Sequence, residues 1–168
     1  IQALVERGAE IHVRTNGGFT ALLFAAREGQ IGAVQALLGA GANLNESLPV
    51  GTEQAYPAAT ADSLAKPESG LNTFLLAAAN AHYELAAWLL DQGADPNAAP
   101  QGWTVLHQVS WVRKTGVAGS NNPAPEGSGN MDGLEFVRKL VAKGAAVNVR
   151  VSKQPRMGLT TLNAIGAT

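Results

Sequence analysis

Four segments of this chain end in the same way, and that recurrence constrains the fold more than any other feature. They are Leu4-Val5-Glu6-Arg7-Gly8-Ala9, Leu37-Leu38-Gly39-Ala40-Gly41-Ala42, Leu89-Leu90-Asp91-Gln92-Gly93-Ala94 and Leu140-Val141-Ala142-Lys143-Gly144-Ala145. Three of them run on to an asparagine, Asn45, Asn97 or Asn148, and the first has His12 in that place. The spacing from Gly8 to Gly41 is 33, from Gly41 to Gly93 it is 52, and from Gly93 to Gly144 it is 51. A unit of the first length therefore recurs, twice lengthened, by 19 and by 18. No unit that short buries its own apolar side, so neighbouring units must stack.

A second landmark locates the extra residues. Gly18, Gly70 and Gly102 each open a segment that runs into a helix. The spacing is 23 both from Gly18 to Gly41 and from Gly70 to Gly93, whereas from Gly102 to Gly144 it is 42. The first insertion thus lies between units, about Glu46 to Ser69, and the second splits a unit, about Lys114 to Asn130. Both are rich in Gly, Pro, Ser and Asn, as loops are. Thr20, Asn72 and Thr104 stand where a helix needs an N-cap acceptor for its unpaired amides. Gly8, Gly41, Gly93 and Gly144 stand where a helix ends in a left-handed turn. Leu22, Ala25 and Ala26 share one face of a first helix, and Val34, Leu37 and Leu38 one face of a second.

The residues Gly18-Phe19-Thr20-Ala21-Leu22-Leu23-Phe24-Ala25-Ala26-Arg27-Glu28-Gly29-Gln30, ending at Asn45, resemble the ankyrin repeat. Gly102-Trp103-Thr104-Val105-Leu106-His107 opens a further unit of that kind. The likeness covers nearly all of the chain outside the insertions. It departs where the family's motif proline is replaced by Ala21, Thr73 and Val105, and where Asn72 replaces threonine. The resemblance implies an all-α solenoid of stacked helix pairs with hairpin-like fingers, interrupted by two or three long loop insertions. It divides the chain into a partial repeat over 1–17, a repeat over 18–45, an insertion over 46–69 and a repeat over 70–101. A repeat over 102–148 with an internal insertion over 114–130 follows, then a loop and the start of another repeat over 149–168. Ile1–Ala9 reads as a second helix without its first, and Gly166-Ala167-Thr168 as a repeat opening, with Gly158-Leu159-Thr160 as its rival; a longer natural protein is expected. The long irregular insertions are more similar to those of environmental-bacterial ankyrin proteins than to compact metazoan scaffolds.

Composition excludes several functions. Twelve Lys and Arg against 13 Asp and Glu leave a net charge of −1, without the basic footprint of a nucleic-acid binder. Cysteine is absent, so disulfides and thiolate metal sites are excluded, while the compartment stays open. No apolar run approaches the ~20 residues that span a bilayer. His12, His82 and His107 fall in different repeats without metal-ligand spacing, and no metal or cofactor is expected. The resemblance places His107 at the family's Thr-Pro-Leu-His position and His82 at its Gly-His position, both structural. No catalytic triad, carboxylate pair or phosphate-cradling loop stands out, Gly127-Ser128-Gly129 reading as linker, so no enzyme activity is expected.

The resemblance implies binding of another protein through the concave face. There the residue between Gly and Thr is Phe19, Leu71 or Trp103, and the two residues after the Ala-Ala position are Arg27 and Glu28, Ala79 and Asn80, or Trp111 and Val112. The candidate contacts are Phe19, Arg27, Glu28, Leu71, Asn80, Trp103 and Trp111. Large apolar side chains in such a row either anchor a partner or are covered by insertions folding back over them. Trp88, on the outer helix at the position of Ala36 and Lys139, reads as a seat for an insertion. The alternatives to a stand-alone binding module are an accessory domain of a longer enzyme or receptor, and a structural subunit of an assembly.

Overall fold

A computed structural model describes residues 1–49, 70–112 and 129–152, with Gln2, Trp111 and Val112 as backbone only. Seven helices follow one another among the described residues: α1 (Gln2–Val5), α2 (Ala21–Arg27), α3 (Ile31–Gly39), α4 (Thr73–Ala79), α5 (Tyr83–Asp91), α6 (Val105–Val112) and α7 (Gly133–Ala142). Each start has a local cause. Thr20 and Asn72 are extended, and their side-chain oxygens accept the amides of Leu23 at 3.3 Å and Leu75 at 2.9 Å. Asp132 caps α7 through the amides of Leu134 at 2.7 Å and Glu135 at 2.8 Å, a cap that the repeat pattern does not announce. At α6 the motif histidine contributes: Nδ1 of His107 accepts the Thr104 amide at 3.2 Å and lies 2.9 Å from the Thr104 hydroxyl.

The recurring Leu-x-x-x-Gly-Ala ending is a helix stop. Gly41, Gly93 and Gly144 have φ of +96°, +96° and +92°, and Gly8 has +81°. That turn carries the alanine amide back onto the leucine carbonyl: Ala42 to Leu37, Ala94 to Leu89 and Ala145 to Leu140, each at 3.0 Å. The glycine amide donates one residue inside that closure, to the carbonyl of Leu38, Leu90 or Val141, as the Schellman geometry requires. The same leucines are the core: Leu37, Leu89 and Leu140 are buried, and each fully buried side chain contributes roughly 1.5–3 kcal/mol. One short motif thus both ends the helix and supplies its anchor.

The helices pack in order. α2 lies against α3 and α4, α4 against α5 and α6, and α7 against α5 and α6. Small side chains on α4 and α5, Ala77, Ala78, Ala86 and Ala87, are buried and let the helices approach. The Tyr83 and Phe136 rings stack at 5.3 Å and join α5 to α7. On the surface Asp91 of α5 pairs with Lys139 at 2.5 Å and Lys143 at 2.8 Å, both from α7 and its end. Both lysines hold the Asp91 carboxyl below its usual range, Lys139 more strongly.

The recurring asparagine also has a use. Asn97 donates Nδ2–H to the Gly144 carbonyl at 3.0 Å and accepts the Ala146 amide at 2.8 Å, bridging one repeat ending to the next with both ends of its amide. Arg14 similarly bonds the carbonyls of Gly18 at 2.6 Å and Ser47 at 3.1 Å.

The segments on either side of residues 50–69 are packed. Ser47 and Asn72 form an antiparallel bridge, Leu48 donates to Leu71 at 2.9 Å, and Gly70 donates to Leu48 at 3.0 Å. Leu48, read from the sequence as insertion, is a buried core residue. Glu46 accepts the hydroxyl of Thr20. Ahead of α7 the Asn130 amide donates to Glu84 of α5 at 2.7 Å. Residues 50–69, 113–128 and 153–168, which hold most of both insertions and the rival repeat openings at Gly158 and Gly166, lie outside the described residues.

Candidate functional site

Gly18, Gly70 and Gly102, with φ of +77°, +96° and +93°, turn the chain into the caps of α2, α4 and α6. The residue after each glycine is therefore fixed at the mouth of an inner helix, and these are Phe19, Leu71 and Trp103. Their surroundings differ. Phe19 is only 4% exposed and belongs to the core, so the expectation that a large side chain here faces solvent is corrected for the first repeat. Leu71 is half-buried and packs against the core, its carbonyl taken by Leu48. Trp103 is half-buried, and its indole N–H donates to Gln108 Oε1 at 3.2 Å.

Phe19 is buried because a second aromatic lies over it. Phe24, one turn into α2, sits 4.7 Å from the Phe19 ring and is 37% exposed. The Arg27 guanidinium lies 5.1 Å from the Phe24 centroid and 5.5 Å from that of Phe19, a distance at which the π-face attracts a cation by about 0.5–1 kcal/mol at an exposed site. Arg27 also pairs with Glu28 at 2.7 Å. An aromatic surface edged by an ion pair results. Phe24 is the residue that sequence reasoning missed, although a signal existed: it stands three and four positions before Arg27 and Glu28, so all three share one helix face.

The remaining candidates are positioned as follows. Asn80 ends α4, is half-buried, and donates Nδ2–H to the Leu76 carbonyl at 2.9 Å. Trp111 lies in the last turn of α6, with its side chain outside the described residues. Trp88 is half-buried against the core. Among the histidines, His12 is exposed and His82 is buried in the seam beside α2. His107 is tied to Thr104. No group of histidines and carboxylates able to hold a metal ion occurs among the described residues, nor does any helix there that is long and apolar enough to cross a membrane.

Helix pairs with the same stops, each packed on the next, define a protein of helical repeats. The family described as ankyrin repeats, many copies, matches the chain at residues 1–38 and 74–112. Those two stretches are ankyrin repeats. No curated protein matches it. Ankyrin repeats are generally modules of protein interaction, typically without enzymatic activity.

Proposed function

We propose that this chain is an ankyrin solenoid that binds a partner protein through its concave face, along a row made by Arg27, Glu28, Leu71, Asn80, Trp103 and Trp111. Phe24 takes the place of Phe19 as the aromatic contact of the first repeat. The observation that carries this reading is the Phe24–Arg27–Glu28 surface. An aromatic ring 37% exposed, with a guanidinium over its face, offers apolar area and orienting polarity together. α2, α4 and α6 pack in sequence, so equivalent positions on them recur one repeat apart along one stripe. Phe19 acts from beneath, holding the Phe24 ring in place. The Ser47–Asn72 bridge stands beside this face as the base of a finger.

The test is affinity capture from the native source followed by calorimetric binding of the captured partner to Phe24→Ala and Trp103→Ala. Hot-spot truncation costs about 2 kcal/mol or more, roughly a thirtyfold loss of affinity. Thermal unfolding runs in parallel. Weakened binding by Phe24→Ala at an unchanged Tm supports the face. Unchanged binding by both variants places the partner elsewhere.

A further inference from the structure

His82 precedes α5 and is 4% exposed. Its Nε2–H donates to the carbonyl of Arg27, the last residue of α2, at 2.8 Å, across 55 positions of the chain. The acceptor is a carbonyl, so the proton is on Nε2. The ring rests against Gly29, the turn between α2 and α3, where φ is +69°. A Cβ on Gly29 would fall 2.6 Å from Cε1 and 2.7 Å from Cγ of the ring, and nearer still to Nδ1. Nδ1 is buried and has no hydrogen-bond partner. The neutral ring therefore fits the seam with one bond made and one lone pair idle. A protonated ring would keep that bond and add a buried N–H without an acceptor, a desolvated charge.

We propose that His82 is a pH-sensitive latch, which at neutral pH holds the Arg27–Gln30 turn against the second repeat and in acid releases it. Charged groups on the surrounding elements are Arg27 and Glu28 at the end of α2, Glu84 on α5, and Asp132 and Glu135 at the start of α7. Burial, the largest influence, pushes the imidazole below its ordinary 6.5, while the Arg27 carbonyl and the Glu28 carboxylate pull the other way. The sign follows. Well above 6.5 neither the closed nor the open form carries the proton, and closure is at its strongest. Below 6.5 the open form takes up the proton first, so closure weakens by up to about tenfold per pH unit until the closed form also titrates. Arg27 and Glu28 ride on the turn. In that respect the latch would regulate the binding face inferred above and rests on that reading; the latch itself does not.

The test uses the whole chain, labelled with 15N. The His82 ring nitrogens and the amide exchange of Gly29 and Gln30 are followed from about pH 8 to about pH 5. The expected result is a ring still largely neutral, with its proton on Nε2, at its ordinary 6.5, and an opening population at Gly29 and Gln30 that rises as the pH falls further, once intrinsic exchange is corrected for. In His82→Gln, whose amide donates to the same carbonyl without titrating, that rise should vanish. A ring charged above 6.5, or an opening population that is independent of pH or equally steep in His82→Gln, overturns the latch. Should His82→Gln not fold, the wild-type ring titration decides alone. Opening without any change in partner affinity leaves the latch standing and removes Arg27 and Glu28 from the binding face.

Discussion

Gly29→Ala tests the seam between the first two repeats, with Gly41→Ala as its control. Both glycines have positive φ, +69° and +96°, so alanine at either meets left-handed strain of about 1–2 kcal/mol, if anything more at Gly41. The alanine also restricts the unfolded chain, which offsets about 0.4–1 kcal/mol. Around Gly41 nothing lies within 4 Å of an added Cβ, so Gly41→Ala should cost about 1 kcal/mol in all. At Gly29 the new methyl falls on the His82 ring and must displace it, breaking the bond to the Arg27 carbonyl. Loss of a buried hydrogen bond adds about 1–3 kcal/mol, for a total of about 2–4 kcal/mol. Urea unfolding at neutral pH measures the difference, with the slope m checked for constancy. A double-mutant cycle isolates its cause, because in a His82→Ala background there is no ring to displace and Gly29→Ala should cost only the backbone part. Equal costs at Gly29 and Gly41, or a Gly29 cost undiminished without the ring, would refute the reasoning.

Leu37→Ala and Leu89→Ala remove core anchors at 2% and 0% exposure, and each should lower stability by about 2–5 kcal/mol in the same assay. Lys139→Ala, on the surface, should cost far less, and a cost equal to that of Leu89→Ala would mean that α7 is misplaced. Asp91→Asn should destabilise the chain near neutral pH and make no difference in strong acid. The two lysines depress the carboxyl below 3.8, so its contribution is full above that value and is lost as the pH falls through the folded pKa; an effect that persists in strong acid would show that the ion pairs are not its source. Ala81→Gly should be nearly neutral. Relief of strain at φ +61° gains about 1–2 kcal/mol, while loss of a buried methyl and a looser unfolded chain cost about 1–2 kcal/mol, and a change beyond about 1.5 kcal/mol either way would sink that balance.

Much of the fold was legible because its signals are local. The left-handed turns at Gly41, Gly93 and Gly144 follow from one residue type at one spacing, and the caps at Thr20 and Asn72 from a side-chain oxygen three residues before the amide it meets. The Leu-x-x-x-Gly-Ala signature was visible, but the bond that explains it, from alanine amide to leucine carbonyl, needed coordinates. What stayed hidden depends on partners far along the chain. Leu48 reads as loop because its company is Pro and Ser, yet its backbone pairs with Leu71, on the far side of the insertion. Asp132 follows a Gly- and Asn-rich stretch, and only the start of α7 at Gly133 shows it as a cap. His82 matched a structural position of the family, but no pattern in the sequence says that its ring crosses to Arg27.

The candidate face was misread for the same reason, at one residue. Phe19 and Phe24 are both aromatic and both near the start of α2, and position in the repeat alone favours Phe19 as the exposed one. Exposure in stacked repeats is set by what lies to either side. Phe24 and Leu76 hold the same position in successive repeats, yet Leu76 is 4% exposed and Phe24 37%. Leu76 sits on α4, which packs against both α2 and α6. The third repeat places Gln108 there, polar and bonded to Trp103. One helix position thus carries an open aromatic, a buried leucine and an amide in succession. A partner reading this stripe would meet its apolar contact at the first repeat and its hydrogen-bonding contact at the third. Phe24→Gln should therefore weaken binding more than Gln108→Ala does, while both leave the Leu76 core intact.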